Sequence, residues 1–256
     1  INQILETKET GDQLTSLEAH EISCHIADGV LAGGIRRSAM ICLFSFGDST
    51  MMHCKSGNWC EAKPHLGRAN NSVVLIRSKA LKKDFDVVFE AAKNSGSGEP
   101  GIFFSNDKEF GLNPCGEAAL RAHQYCNLCS INVSTVEDQR DFELRSVAAS
   151  FIGTIQASYT DFYYLRSEWE RVTSKDALLG ISMTGIASQS ALGLDLEKAA
   201  RLIKEENIRV AQLIGINEAA RTTMVKPEGT SSLVLGCSSG IHAWHSPYYI
   251  RRVTIN

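Results

Sequence analysis

The apolar residues near the start of the chain recur at helical spacing. Ile22, Ile26 and Val30 form an apolar stripe, and Thr15 with Glu18 has the spacing of a capping box. The glycine pair at 33–34 supplies a stop signal. The pattern therefore predicts a helix of about four turns that begins after Thr15.

Strand-like runs then alternate with further helical patterns. Residues 38–46 and 71–76 are nearly continuously apolar, which is typical of strands buried on both faces in a parallel sheet. Shorter strands are predicted over 102–104, 222–225 and 248–255, and helices over 84–94, 144–155 and 196–220. Because no repeat or clear linker interrupts this alternation, we expect an α/β architecture with one continuous core.

Composition narrows the class of protein. The chain has 256 residues, of which 43% are hydrophobic, and a net charge of −3, so it lacks the basic footprint of a nucleic-acid-binding protein. No apolar run approaches the length of a membrane span. Eight cysteines without a secretory signal indicate a reducing compartment, and the cytoplasm is the default. Since Ile1 is not an initiator Met, we expect residues 1–256 to be an internal fragment of a longer chain.

Residues 113–117, Asn-Pro-Cys-Gly-Glu, carry the most informative chemistry. Pro114 lacks an N–H and disfavours a helical Asn113, and Gly116 adds backbone freedom, so an extended loop tip is predicted. Side chains alternate along an extended chain, and Asn113, Cys115 and Glu117 would then project to one side. An amide, a thiol and a carboxylate on one side are suited to binding a ligand and reacting with it. The alternative is an ordinary turn that carries a small buried thiol.

A second thiol, Cys126, lies eleven positions after Cys115 and opens the sequence Cys-Asn-Leu-Cys-Ser-Ile-Asn. This pair of motifs resembles the finger loop and the following strand of ribonucleotide reductases, in the adenosylcobalamin-dependent (class II) form. Further segments match that family in the same order: Gly33–Ser38, Gly57–Trp59, Arg68–Ser72, Gly98–Ile102, Gly180–Gly185, Lys226–Ser232, Cys237–His242 and Tyr248–Arg252. The resemblance covers nearly the whole chain. It implies that residues 1–256 form a single catalytic barrel domain, part of the family's ten-stranded α/β barrel, with the loop that carries Cys115 at its centre.

The resemblance also implies residue roles. Cys115 would become the thiyl radical that abstracts the ribose 3′ hydrogen, Glu117 would take the 3′-hydroxyl proton, and Asn113 would hold the ribose hydroxyls. Cys126 would be one of two thiols that supply the reducing equivalents, with its partner outside this fragment. Adenosylcobalamin is the implied cofactor.

Substrate binding is implied at two further places. The loop after Lys226 offers hydroxyls and backbone N–H groups for phosphates, from Gly229, Thr230, Ser231 and Ser232. Arg36 would reach the base or sugar. Glu228 would repel phosphates unless it points away from them or pairs with a base such as Arg251.

The implied partners follow from this chemistry. They are a ribonucleoside triphosphate or diphosphate as substrate, dNTP and ATP as effectors, and a thioredoxin-like reductant. The Ser-Met-Thr-Gly-Ile and Tyr-Tyr-Ile-Arg-Arg stretches resemble the triphosphate branch of the family more closely. The product serves DNA synthesis, but the chain itself need not contact nucleic acid or membrane. The nearest alternative is a reductase that uses a separate radical-generating subunit.

Cys129 departs from the family pattern, which has glycine there. It creates a Cys-x-x-Cys pair with Cys126, which is compatible with a non-catalytic, zinc-stabilised nucleotide-binding module that also uses Cys54 and Cys60. We predict no metal site, because the five residues between Cys54 and Cys60 exceed the usual spacing of zinc ligands. A local Cys126–Cys129 disulfide is also disfavoured, because the residues after Cys129 are strand-like and alternate side chains point apart.

Overall fold

A computed structural model describes residues 1–32, 35–36, 38–188, 191 and 193–250; for residues 31, 32, 35 and 36 only the backbone is described. The chain divides into two compact units, which meet in sequence between Gly116 and Glu117. The prediction of a single catalytic barrel domain stays a prediction.

Unit 1, residues 1–116, is built on a three-stranded sheet. Its elements in chain order are α1 (Asn2–Leu5), α2 (Ser16–Asp28), β1 (Leu31–Ala32), β2 (Ile35–Arg36), β3 (Met40–Ser45), α3 (Ser49–His53), α4 (Trp59–Ala62), a 3₁₀ turn (Pro64–Arg68), β4 (Ala69–Ile76), α5 (Lys82–Asn94), β5 (Gly101–Ser105) and β6 (Gly111–Leu112). The strands β3, β4 and β5 pair in that order and all are parallel. The predicted strands and the helix over 84–94 are thus confirmed.

Helix α2 begins as predicted, but its end and its buried face differ from the prediction. Thr15 and Glu18 form the predicted capping box, but the helix ends at Asp28, with Gly29 as its C-cap, before the glycine pair. The buried face carries His20, Cys24 and Ala27, whereas Ile26 of the predicted stripe is 59% exposed. The helical period was therefore correct, but the stripe does not face the core of this unit.

Unit 2 begins at Glu117. Its elements are β7 (Ala119–Leu120), β8 (Asn127–Asn132), a 3₁₀ turn (Val133–Thr135), α6 (Gln139–Ala157), α7 (Ser167–Asp176), β9 (Leu179–Thr184), a 3₁₀ turn (Ile186–Ser188), α8 (Leu196–Ile214) and α9 (Ser231–Val234). Strands β8 and β9 are parallel, with Leu128 opposite Gly180 and Ser130 opposite Ser182. Residues 221–224 run beside β9, where the Ile181 N–H donates to the Thr222 carbonyl at 3.0 Å, in line with the strand predicted over 222–225.

Helices α6 and α8 cover one face of this strand pair. Their core includes Ile131 and Ile181 from the strands, Phe142 and Ala149 from α6, and Ile203 from α8. The predicted second helix over 196–220 ends earlier, at Ile214, because Gly215 adopts a left-handed φ of +76° that terminates the helix.

The C-terminal strand predicted over 248–255 is not found where it can be checked. Residues 248–250 lie outside regular secondary structure, and residues 251–256 are outside the described part of the chain. No helix among the described residues combines the length and apolar character needed to cross a membrane.

Candidate active site

The segment that carries Cys115 is a turn and not the predicted extended strand. The N–H of Gly116 donates to the Asn113 carbonyl at 2.9 Å, and Gly116 has φ +84°. Pro114 therefore occupies the second position of a turn, where its fixed φ is favourable. The predicted alternation of three side chains on one side is wrong for this reason, whereas the non-helical loop tip is confirmed.

The turn is attached to the sheet of unit 1. The side-chain amide of Asn70, at the start of β4, donates to the Pro114 carbonyl at 2.6 Å. Beside it lies a cavity of about 530 Å³ formed by α2, β3, Leu112 and Pro114. Cys115 is exposed at the tip, so its thiol is accessible from outside unit 1.

Glu117 and Cys126 come together in unit 2. Both line a cavity of about 90 Å³ that also includes Arg221 and Met224. Burial, and secondarily the charge of Glu117, raises the pKa of the Cys126 thiol to about 11. Cys126 is therefore a protonated thiol at neutral pH.

Gly180 allows the sulfur of Cys126 to approach β9 closely. A Cβ at this position would lie 2.9 Å from the Cys126 Sγ and 2.4 Å from the Met224 Sδ. Both distances are shorter than real contacts, so only glycine accommodates this packing. The sequence matched Gly180 to the family but predicted neither its close contact with Cys126 nor the place of Arg221 in the cavity that Cys126 lines. A glycine within an apolar strand signals a close approach, but nothing local to Arg221 indicates its place.

Cys129 lies on the opposite face of β8 from Cys126. Its Sγ would be 3.5 Å from a Cβ on Gly153 of α6, and burial raises its pKa. The predicted divergence of the two thiols is thus confirmed. Among the described residues no group of three or more His, Cys, Asp or Glu side chains is arranged to hold a metal ion. All eight cysteines are free.

Glu228 has its carboxylate buried between the strand pair and Ser231 of the loop predicted to bind phosphates. It is 2% exposed, and its Oε1 accepts hydrogen bonds from the hydroxyls of Ser130 and Ser182, the latter at 2.6 Å. Its Oε2 accepts one from Ser231. Burial alone would raise the pKa of this carboxyl, but the three hydroxyl donors outweigh burial and hold the pKa below its usual range. Arg251, the alternative partner, lies outside the described residues.

The four residues of the predicted phosphate loop have different environments. Gly229 and Thr230 are exposed, and Ser232 is buried. The hydroxyl of Ser231 donates a hydrogen bond to Glu228. Within the described residues, the backbone N–H groups of Gly229, Thr230 and Ser231 make no hydrogen bond. Three consecutive unpaired donors next to an exposed hydroxyl are suited to binding an anion.

Two other predicted positions have different outcomes. The side chain of Arg36 is not among the described parts of the chain, and Gly33, Gly34 and Arg37 lie outside the described residues. Tyr248, which opens the matched Tyr248–Arg252 segment, is 92% exposed.

Comparisons with known proteins support the resemblance. No protein-family model matches the chain. Proteins named adenosylcobalamin-dependent ribonucleoside-triphosphate reductase align with 99% of this chain, at 25% identity in Lactobacillus helveticus and 27% in Lactobacillus delbrueckii subsp. bulgaricus. The corresponding Euglena gracilis protein is 26% identical over 87% of the chain. The chain spans 39% to 40% of the length of the two bacterial relatives and 32% of the third.

Solved structures share the fold. A B12-dependent (class II) ribonucleotide reductase matches with a TM-score of 0.72, at 22% identity over 94% of this chain and 38% of its own. The α subunit of the class Id ribonucleotide reductase from Actinobacillus ureae matches with a TM-score of 0.67, at 15% identity over 94% of this chain and 56% of its own. The predicted α/β fold, that of part of a ribonucleotide reductase catalytic subunit, is confirmed.

Proposed function

We propose that the chain contains the catalytic core of an adenosylcobalamin-dependent ribonucleotide reductase, which converts ribonucleoside triphosphates or diphosphates to 2′-deoxyribonucleotides. The observation that carries the proposal is the alignment of 99% of this chain with reductases of that name. Those relatives support the triphosphate as the preferred substrate.

Adenosylcobalamin, when bound, supplies the radical that starts the reaction. The exposed thiol at the tip of the 113–116 turn fits such a group, because an initiator can reach it from outside unit 1. Leu112 and Pro114, which precede Cys115 in sequence and line the neighbouring cavity, would hold the group on the protein side.

The first steps belong to Cys115 and Glu117. The Cys115 thiyl takes the hydrogen atom from the ribose C3′, which breaks the C–H bond and forms an S–H bond. Glu117 accepts the 3′-hydroxyl proton as general base, the 2′-hydroxyl leaves as water with a proton from the thiol pair, and Glu117 returns its proton to the 3′ oxygen once the sugar is reduced. Asn113 holds the ribose hydroxyls by hydrogen bonds.

Cys126 supplies reducing equivalents. With a second thiol it delivers two electrons and two protons to the sugar and becomes half of a disulfide, and Cys115 then returns the hydrogen to C3′. The pKa of about 11 keeps Cys126 protonated until it donates, which supports this role. A thioredoxin-like reductant reduces the disulfide, and dNTP and ATP effectors regulate substrate choice. Free cysteines throughout the chain fit a cytoplasmic reaction.

The test is deoxyribonucleotide formation. The intact protein is incubated without oxygen with a ribonucleoside triphosphate and a dithiol, with and without adenosylcobalamin, and Cys115→Ala is compared with wild type. Product that requires both the cofactor and Cys115 supports the proposal. Product without the cofactor would identify a different radical source, as in a reductase with a separate radical-generating subunit. No product from wild type under any condition would contradict the proposal.

A further inference from the structure

Glu228 is an unusual residue for the edge of an anion-binding loop. It is a carboxylate with 2% exposure, and its backbone has a left-handed φ of +55°. Left-handed φ is uncommon outside glycine and costs roughly 1 kcal/mol, so surrounding contacts must hold the residue in place. The same loop leaves three backbone N–H groups unpaired only one to three positions further on.

The contacts that hold Glu228 come from three separate elements. Ser130 lies on β8, Ser182 is its direct neighbour on β9, and Ser231 is the first residue of α9. All three hydroxyls donate to the one carboxylate. We refer to these four residues as the serine clasp. The clasp connects two adjacent parallel strands to the loop that presents Gly229 and Thr230.

The clasp also reduces the repulsion expected between the Glu228 carboxylate and an anion bound at the neighbouring loop. Oε1 of Glu228 is directed at Ser130 and Ser182 on the strands, and Oε2 accepts a hydrogen bond from Ser231, so both oxygens are hydrogen-bonded and the negative charge is buried rather than exposed to solvent. The loop can then bind an anion with its N–H groups, although a carboxylate lies directly beside them in sequence.

We propose that Glu228 is a positioning residue for the substrate phosphates: through the serine clasp it fixes the 229–231 backbone so that its three N–H groups and the Thr230 hydroxyl face the phosphate chain. This inference rests on the proposed function. It assigns no contact between Glu228 and substrate.

The clasp gives the phosphate loop a defined distance from the redox thiol. Ser130 lies four residues after Cys126 on the same extended segment, which corresponds to about 13 Å at the usual rise per residue. Glu228 thus sets the loop in register with the strand that carries Cys126. A shift of the loop would move the phosphates relative to the thiol that reduces the sugar.

The experiment measures ribonucleoside triphosphate binding and steady-state kinetics in the intact protein. The variants are Glu228→Ala, Glu228→Gln and the double variant Ser130→Ala with Ser182→Ala. We expect Glu228→Ala to raise the substrate KM roughly tenfold to a hundredfold, the effect of losing hydrogen bonds to a charged group. The kcat at saturation stays within about threefold, because positioning is restored when substrate fills the site. Glu228→Gln, which keeps the shape and two of the three acceptor contacts, recovers part of the affinity.

The serine double variant tests the clasp from the sheet side, away from any phosphate contact. We expect it to weaken triphosphate binding in the same direction and to speed amide deuterium exchange of residues 229–236. The matched control is Ser150→Ala, which deletes a hydroxyl that is as buried as that of Ser182 and donates to the Ile203 carbonyl at 2.7 Å. That variant loses stability but keeps the wild-type KM.

Three results would overturn the inference. One is an unchanged KM in Glu228→Ala and in the serine double variant. Another is an equal rise of KM in Ser150→Ala, which would show general destabilisation. The third is a loss of kcat without any change of KM. If Glu228→Ala does not fold, Glu228→Gln and the serine variant decide the matter. A wild-type protein that binds and reduces no ribonucleotide refutes the proposed function instead, so the two failures are distinguishable.

Discussion

The turn that carries Cys115 and the strand pair that carries Cys126 present their thiols in opposite ways. Cys115 is exposed at the tip of a four-residue turn in unit 1. Cys126 is half-buried beside Gly180 and Met224 in unit 2, and its pKa is about 11. A thiol that must meet a radical initiator has to be reachable, whereas a thiol that must store hydrogen until needed is best kept desolvated and protonated. The two environments match the two proposed roles.

The strongest test of this contrast compares Cys126, directly before β8, with Cys129 on β8. Cys126→Ala should reduce multiple-turnover product formation by at least about 100-fold, because a thiol that donates reducing equivalents has no substitute. Cys129→Ala should leave turnover within about twofold, since this thiol only packs against α6. Product per enzyme is quantified by chromatography. Comparable losses in both variants would indicate that the Cys-x-x-Cys pair acts as a unit.

Thiol labelling tests accessibility directly. At pH 8, Cys126 should react with iodoacetamide about a hundredfold more slowly than an unperturbed thiol, because its pKa of about 11 leaves little thiolate. Cys115 and the exposed Cys60 should react fast, and Cys24, with a pKa of about 11, should be protected as well. Mass spectrometry of peptides after timed labelling gives the rates. Fast labelling of Cys126 would contradict its buried placement.

The packing under Cys126 can be disturbed with a single methyl group. Gly180→Ala should destabilise the protein by about 1–3 kcal/mol, because its Cβ would collide with the sulfurs of Cys126 and Met224. Gly67→Ala in unit 1 is the control: its Cβ would meet nothing closer than 3.8 Å, and its effect should stay within about 0.5 kcal/mol. Denaturant unfolding measures both. Equal stability of the two variants would argue against the close sulfur contacts at β9.

The smallest expected effect concerns charge. Glu117→Gln removes the negative neighbour that disfavours the Cys126 thiolate, so the pKa of Cys126 should fall. The decrease should be partial, because burial is the larger cause and is unchanged. The pH dependence of the Cys126 alkylation rate, followed between pH 8 and about 11, reports the shift, with wild type as the reference. An unchanged profile would mean that Glu117 lies further from the thiol than the structure places it.

Local signals predicted the regular elements well. The Thr15–Glu18 capping box, the apolar runs of β3 and β4 and the long helix α6 depend on residues close in sequence, and all are present. The stripe through Ile26 was misplaced, because which side of a helix is buried depends on the elements packed against it. Helix α7 was not predicted, since its ten residues are mostly polar and carry few apolar side chains to mark a buried face.

The motifs of the sequence selected the candidate site residues but did not predict their geometry. Cys115, Glu117 and Cys126 were identified from the sequence, yet the turn at 113–116 replaced the expected extended segment because one backbone hydrogen bond closes it. The bond between Ser130 and Glu228 joins residues 98 positions apart. No local pattern can indicate such a contact, so the serine clasp became visible only in three dimensions.

The double anchoring of the 113–116 turn has a stereochemical consequence. One hydrogen bond closes the turn, and Asn70 ties the Pro114 carbonyl to β4, so Cys115 has little freedom to move during the reaction. In the proposed mechanism, the thiol that removes a hydrogen atom therefore remains on the same face of the ribose when it gives the atom back. Configuration at C3′ should be retained, and a deuterium placed there should reappear in the product at its original position.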